Sequence, residues 1–277
     1  MPAPAVLTLL KTNIVTIRDV CWLGGSQPWK AEWNAGAVQL LFPYRGTCRL
    51  DFGDESAIAE ANQVLLLNAG ETCRVSNSVG GERIAFLALA VEETLLRELA
   101  AEALLQEGLA MAFRTRRLRV DARTQALAAM LRHGLDKGIA EPLEAESLGL
   151  ILAQRALGPR TAHIAETTIG RHKLVDRTKL IVGSDLARRW TLNEIAAQVG
   201  VSPVYLTQVF RQVEGIPLYR YYLRLRLARA LDLIVEYDDL TGLGLDLGFS
   251  SHSHFTAAFR EAYGRSPSEF RQAALHR

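Results

Sequence analysis

Two arginines give the first hint of chemistry. Arg211 and Arg260 stand at equivalent points of two stretches, about 48 positions apart, that share one pattern of apolar residues, glycine and arginine. A guanidinium repeated in this way suits a repeated anionic partner, because its planar fork matches phosphate oxygens and guanine edges. Residues 171–277 carry 15 Lys and Arg against 11 Asp and Glu, while residues 1–170 carry 17 against 19, so the excess of positive charge lies with the repeat. A solvated helical surface accounts for such a charge pattern taken alone; its coincidence with a duplicated motif is what points to nucleic acid.

Catalytic chemistry has no comparable footing. The chain has no H-E-x-x-H, Walker A, G-x-S-x-G or paired Cys-x-x-Cys. The first 132 residues hold no histidine, and His252 and His254 stand two apart, on different faces of a helix. We therefore expect no catalytic residue, no metal and no cofactor. Cys21, Cys48 and Cys73 are an odd number of thiols, which argues against a disulfide framework and fits a reducing cytoplasm. Unpaired cysteines are usually small buried hydrophobes. The alternative is a thiol sensor of an oxidant or a thiophilic metal, with Arg49 and Arg74 lowering the pKa of their cysteine neighbours. Trp22, Trp29, Trp33, Phe42 and Tyr44 divide in the same way, between core and the aromatic wall of a small-molecule pocket.

These residues need elements to hold them. In the first copy Leu192, Ile195, Ala196 and Val199 fall at i, i+3, i+4 and i+7, Gly200 follows, and Leu206, Val209, Phe210 and Val213 repeat the spacing. In the second, Leu240, Leu243, Gly244 and Leu247 precede Gly248, and Phe255, Ala258, Phe259 and Ala262 close the unit. Each copy reads as two short amphipathic helices joined by a glycine turn. That is a helix-turn-helix, whose second helix can lie in the major groove of DNA. Thr191 and Glu194 form a capping box, Ser202 is an N-cap before a proline at the first helical position, and Ser251 takes the N-cap place in the second copy. Residues 218–236 lack Gly and Pro and read as one connecting helix of roughly 28 Å, near the ~34 Å between successive major-groove faces.

The segment from about 190 to 271 resembles the paired DNA-binding unit of the AraC/XylS transcription regulators. Gly248, Phe249, Ser251, Ser253 and Phe255 carry that family's G-F-x-S-x-S-x-F core, and Gly264, Pro267, Phe270 and Arg271 its G-x-x-P-x-x-[FY]-R end. The resemblance implies that Ser202, Pro203, Val204, Thr207, Gln208 and Arg211 meet DNA in the first unit, and Ser251, His252, Ser253, Thr256, Ala257 and Arg260 in the second. His254 is left for a backbone or packing contact. Gln208 stands where the family commonly has arginine, which favours adenine over guanine, and Ala257 offers only a methyl. Gly244 replaces the usual alanine and weakens its helix by roughly 1 kcal/mol.

The first half differs in texture. From about 14 to 91, short apolar runs alternate with glycine and asparagine turns, which reads as an antiparallel sandwich or barrel. Helical patterns follow over about 92–157, and residues 158–172, without periodicity, read as a linker to a DNA-binding part at 173–277. The fold class is therefore α+β in two domains: a β half-barrel with a helical segment, then an all-α tandem helix-turn-helix. In AraC relatives the first region is a cupin-like half-barrel that binds an effector, and "NQVLLLNAGETCRVSN" is similar to it; Cys73 stands where a cupin's metal-binding histidine would be. The resemblance points to an effector site near Trp22, Phe42, Tyr44, Cys48 and Cys73. The stripe Leu148, Ile151, Leu152 and Arg155 suits either a dimer contact or packing on the chain's own sheet. The longest apolar run, Ile84–Val91, is too short for a membrane span, and residues 1–13 lack a signal peptide's basic start. The expected partners are double-stranded promoter DNA, a second copy of the chain, an unidentified small effector and RNA polymerase, with no membrane. A DNA-binding architectural protein whose β domain only dimerises is the alternative.

Overall fold

The computed structural model describes residues 3–23, 28–77, 83–108, 110–158 and 169–275. Its first half is two antiparallel sheets. One has six strands, ordered β1 (Ala5–Lys11), β2 (Val15–Trp22), β9 (Ile84–Val91), β4 (Gln39–Arg45), β7 (Gln63–Leu67) and β10 (Arg117–Arg119). The other has four, ordered β3 (Trp29–Asn34), β8 (Thr72–Asn77), β5 (Cys48–Phe52) and β6 (Glu55–Ala59). Each residue of β2 faces one of β9, from Val15 opposite Val91 to Trp22 opposite Ile84.

The central strands of the six-stranded sheet are buried on both faces, whereas the edge strand β1 is largely exposed. One side meets the smaller sheet through Trp22, Leu41, Leu65 and Phe86 against Leu50, Phe52 and Val75. The other, through Ile17, Leu40, Phe42, Leu66 and Leu89, meets three helices: α1 (Glu93–Leu99), α2 (Ala122–Asp136) and α3 (Pro142–Leu157). Its central strands therefore read as unbroken apolar runs, QVLLL and IAFLALAV, because neither face reaches water. Strands β1, β3, β6 and β10 escape the sequence pattern. β3 (WKAEWN) and β6 (ESAIA) lie at the edges of the smaller sheet; β3 buries Ala31 alone, and β6 opens on exposed Glu55 and Ser56 before its buried Ala57, Ile58 and Ala59.

Helix α3 resolves the stripe read for a dimer contact. Leu152 is fully buried in the chain's own core and Leu148 packs against it, because Gly149 lets the helix lie close on Val15 of β2. Of the four residues, Ile151 and Arg155 remain exposed.

The second half opens with α4 (Ile169–Ser184), which starts inside the span read as linker. Residues 159–168 of that span lie outside the described residues. Helix α4 packs through Val175 and Val182 on α5 (Leu192–Val199) and α6 (Pro203–Glu214). The connecting helix α7 (Leu218–Leu233) stops short of the expected Glu236, whose N–H instead folds back to the Leu233 carbonyl. Its sixteen residues span about 24 Å. Helices α8 (Leu240–Asp246), α9 (His252–Tyr263) and α10 (Pro267–Leu275) complete the fold.

The halves meet through buried charge as well as apolar contact. Ala126, Ala129 and Met130 of α2 join the cluster of Leu227, Ala230 and Phe259. Asp232 of α7, 1 % exposed, accepts from Arg45 of β4 and Arg132 of α2, each at 2.8 Å, and from Arg229. Lys179 of α4 is fully buried, its Nζ 2.9 Å from Glu214 at the end of α6 and 3.9 Å from Glu60 beyond β6. Arg119 of β10 donates to the Val213 carbonyl at 2.7 Å, so the first half grips the C-terminal end of α6.

Candidate nucleic-acid interface

The two helix-turn-helix units are built as their caps require. Thr191 Oγ1 accepts from the Glu194 N–H at 3.2 Å, and the Glu194 carboxylate takes the Thr191 N–H at 2.7 Å. The Thr191 hydroxyl donates to the same carboxylate at 2.7 Å, and this bond, with those from the Thr191 N–H and Arg188, holds the Glu194 carboxyl down at about 2. Gly200 turns the chain at φ 77°, where a side chain would clash with the following carbonyl. The hydroxyl of Ser202 then caps α6 by accepting from the Tyr205 N–H at 3.2 Å, with Pro203 at the first helical position. In the second unit Asp239 caps α8, and Ser251 Oγ accepts from the His254 N–H at 3.1 Å to cap α9.

Each second helix buries one face and offers the other. In α6, Leu206, Val209, Phe210 and Val213 are buried, while Val204, Thr207, Gln208 and Arg211 are exposed. In α9, Phe255, Ala258 and Phe259 are buried, while His252, Ser253, Ala257 and Arg260 are exposed and Thr256 is half-buried. Among the described residues, the side chains of Gln208, Arg211 and Arg260 make no hydrogen bond or ion pair, so their donors remain available to a ligand. Other polar groups are partly committed. Ser202 and Ser251 spend a lone pair on their caps, Thr207 donates to the Pro203 carbonyl at 2.9 Å, and Thr256 Oγ1 sits 3.3 Å from His252 Nε2. His254 is exposed, its ring 5.4 Å from that of Phe249 and its Nδ1 3.1 Å from Ser250 Oγ.

The second unit carries an acidic flank. Asp238 and Asp239 line a recess of about 310 Å³ together with His252, Thr256 and Arg271. The backbone N–H groups of Thr241 and Gly242 hold the Asp239 carboxyl below its ordinary range, so it stays ionised beside α9.

The residues expected to meet an effector do not form one site. Trp22, Cys48 and Cys73 lie in the barrel interior between the sheets, with Trp22 against Trp29, Trp33 and Phe86 at ring distances of 5.7–6.3 Å. Phe42 and Tyr44 leave β4 on the other face of the six-stranded sheet. There Tyr44 donates to Asp19 at 2.6 Å and lies under the Arg132 guanidinium, beside a cavity of about 30 Å³ between the halves, room for about one water. The three thiols do not converge either. Cys48 and Cys73 share the interior, whereas Cys21 faces away from it and accepts from Arg83 Nε at 2.6 Å. Arg49 and Arg74 cannot activate their neighbours, because adjacent strand residues point to opposite faces. Both arginines are exposed, pairing with Asp51 and Glu32. Burial instead pushes the Cys73 thiol up to about 12 and raises that of Cys48.

Comparison with known proteins assigns both halves. A family described as "Helix-turn-helix domain" matches residues 195–273, and one described as "AraC-like ligand binding domain" matches residues 35–153. The chain belongs to the AraC/XylS family. It is 28 % identical over 112 residues to the Msm operon regulatory protein of Streptococcus mutans, a match covering 40 % of each chain. It is 34 % identical over 101 residues to the HTH-type transcriptional regulator ArgR of Pseudomonas aeruginosa, covering 36 % of this chain and 31 % of that one. The chain thus spans two-fifths or less of the length of these curated relatives. A crystal structure of an AraC-type regulator from Chromobacterium violaceum is 31 % identical, with 39 % of this chain and 98 % of that chain covered and a TM-score of 0.36.

Against the family pattern, Gly244 has a local cause. A Cβ there would lie 3.0–3.1 Å from three atoms of Phe255, so α8 and α9 pack more closely than an alanine admits without adjustment. The residues that sequence reasoning missed are those joining parts of the fold: Arg226, Asp232, Lys179 and Glu214. Each is an ordinary charge on a helical pattern; only burial, at 5 % exposure or less for the last three, distinguishes them. No helix among the described residues is long and apolar enough to cross a membrane.

Proposed function

We propose that this chain is a sequence-specific DNA-binding transcriptional regulator whose promoter binding is modulated by a small effector. The observation that carries it is the pair of capped helices α6 and α9, each presenting an unpaired arginine and polar side chains on the face opposite its core. The contact set is Ser202, Pro203, Val204, Thr207, Gln208 and Arg211, with Ser251, His252, Ser253, Thr256, Ala257 and Arg260. Free Gln208 supports base reading, while Arg211 and Arg260 hold phosphates. The first 157 residues are the effector-binding and dimerising part, and residues 173–277, together with the start of α4, are the DNA-binding part. The match to an AraC-like ligand binding domain supports an effector. Of the effector residues, we keep Trp22, Cys48 and Cys73 as one candidate pocket and treat Phe42 and Tyr44 as part of the junction. The protein works by binding rather than turnover, in the cytoplasm, as a homodimer that contacts RNA polymerase.

The test is selection from a library of random duplexes by the full chain. Enrichment of a defined sequence, bound with an affinity that falls steeply with salt, supports the reading; recovery of no preferred sequence overturns it. The architectural alternative is separated by a small-molecule screen on the full chain, since an effector that raises the melting temperature and shifts the affinity for the selected duplex rules that alternative out.

A further inference from the structure

Arg226, in the middle of α7, lies between the two helix-turn-helix units and is bonded to both. Its Nε donates to the Leu186 carbonyl at 2.7 Å and its Nη2 to the Arg188 carbonyl at 2.9 Å, both in the segment that joins α4 to α5. Its Nη1 donates to the Gly248 carbonyl at 3.1 Å, in the turn of the second unit. The same guanidinium stacks on Tyr222, 4.3 Å from the ring centroid. The Tyr222 hydroxyl reaches the first unit's segment as well, 2.6 Å from the Arg188 carbonyl and 3.0 Å from that of Leu186. Gly248 completes the arrangement. Beyond its φ of 79°, a Cβ there would lie 2.5 Å from the Ala187 carbonyl and 2.7 Å from Arg226 Nη2. The turn of one unit is therefore seated on the entry segment of the other, with one rigid fork between them.

We propose that Arg226 is a positioning residue that fixes the distance and rotation between the two DNA-reading helices, and so sets the spacing of base pairs the chain accepts. A helix alone does not do this. Each unit packs on α7 through apolar side chains, which resist separation but permit small rotations. Three bonds from one planar group to carbonyls on both units remove that freedom. Two binding modules on one scaffold gain affinity together only while the geometry lets both engage. One inserted base pair displaces the second half-element by about 3.4 Å along the axis and rotates it by about a tenth of a turn. A rigid pair cannot follow that displacement; a loosened pair can.

The inference rests on both units contacting DNA, and its test separates the two claims. The full chain first selects its bipartite duplex from a random library, and affinity is then measured for that duplex and for versions with one base pair inserted or deleted between the half-elements. Wild type should lose roughly tenfold or more on either change, and Arg226→Gln should lose no more than about threefold while binding the original site less tightly. Overall weakening alone is the mark of a merely structural residue; the ratio between spacings is the deciding number. Should Arg226→Gln fail to fold, Tyr222→Phe carries the test, because it removes the hydroxyl that draws in the Leu186 and Arg188 carbonyls but leaves the guanidinium; it should relax the ratio in the same direction. A folded variant with the wild-type ratio overturns the coupling role. A wild-type chain that selects no sequence overturns the DNA-binding reading beneath it.

Discussion

Acidification should loosen the junction between the halves through one histidine. His133 of α2 is 1 % exposed, and its Nε2 lies 2.8 Å from the carbonyl of Leu231, in the last turn of α7. A carbonyl only accepts, so Nε2 carries the proton and gives a helix-terminal carbonyl its partner. Arg132 Nη2 lies 3.3 Å away on the same side. Burial, followed by that guanidinium, lowers the His133 pKa from 6.5 to about 4. In the window between these values the unfolded chain binds a proton that the folded chain refuses. Stability therefore rises with pH there, is fully present above 6.5, and is lost as the pH falls toward 4. At about 1.4 kcal/mol per tenfold change in proton affinity, the loss approaches roughly 3 kcal/mol. The measurement is urea unfolding of wild type and His133→Gln, which keeps a donor but does not titrate, at several pH values from 7.5 to about 4. The stability of wild type relative to the variant should drop by roughly that amount across the series. A difference that stays constant with pH would refute the argument, because it would mean that His133 titrates alike folded and unfolded.

Three other outcomes follow from the geometry. Arg211→Ala and Arg260→Ala should each weaken binding to all duplexes and reduce the salt slope by about 1, whereas Gln208→Ala should relax preference at one base pair at a cost of roughly 1–3 kcal/mol; titrations at several salt concentrations against matched and mutated duplexes separate the two behaviours. Glu60 is buried, which raises its carboxyl pKa above the ordinary 4.5 despite Lys179, so wild type loses stability as the pH climbs from about 4.5 through the raised value. Glu60→Gln, which keeps an acceptor for the Asn62 N–H, should therefore gain melting temperature relative to wild type at pH 8 but not at pH 4.5; an equal difference at both would contradict it. Cys48 and Cys73, buried and raised in pKa, should resist a disulfide reagent at pH 8 in the folded chain and react at once in urea. Rapid labelling of both in the native state would revive a thiol sensor.

Local order was legible in the sequence, and it is local physics that made it so. The spacing of Ile195, Ala196 and Val199, the capping box of Thr191 and Glu194, the serine caps and the glycines at 200 and 248 each act within one turn of chain, and each stands in the structure where the pattern placed it, whereas Leu192, the first member of that stripe, is 39 % exposed. The long apolar strands were legible for the same reason, since period and composition alone record that a face is buried. Register was not. Phe42 and Trp22 are aromatic residues on two strands of one sheet, both paired to β9, yet they face opposite sides of it, because the pairing of β4 and β2 with β9 sets the parity of each strand and no single strand encodes it. The arginines beside Cys48 and Cys73 misled in the same way: adjacency in sequence is opposition across a sheet. Long-range charge was equally silent. Asp232 meets Arg45 and Arg132 across 187 and 100 positions, and Arg226 joins carbonyls 40 before it and 22 after it. Those pairings exist only once packing has excluded water around them, so the way the two units are held to each other and to the first half is a property of the tertiary structure alone.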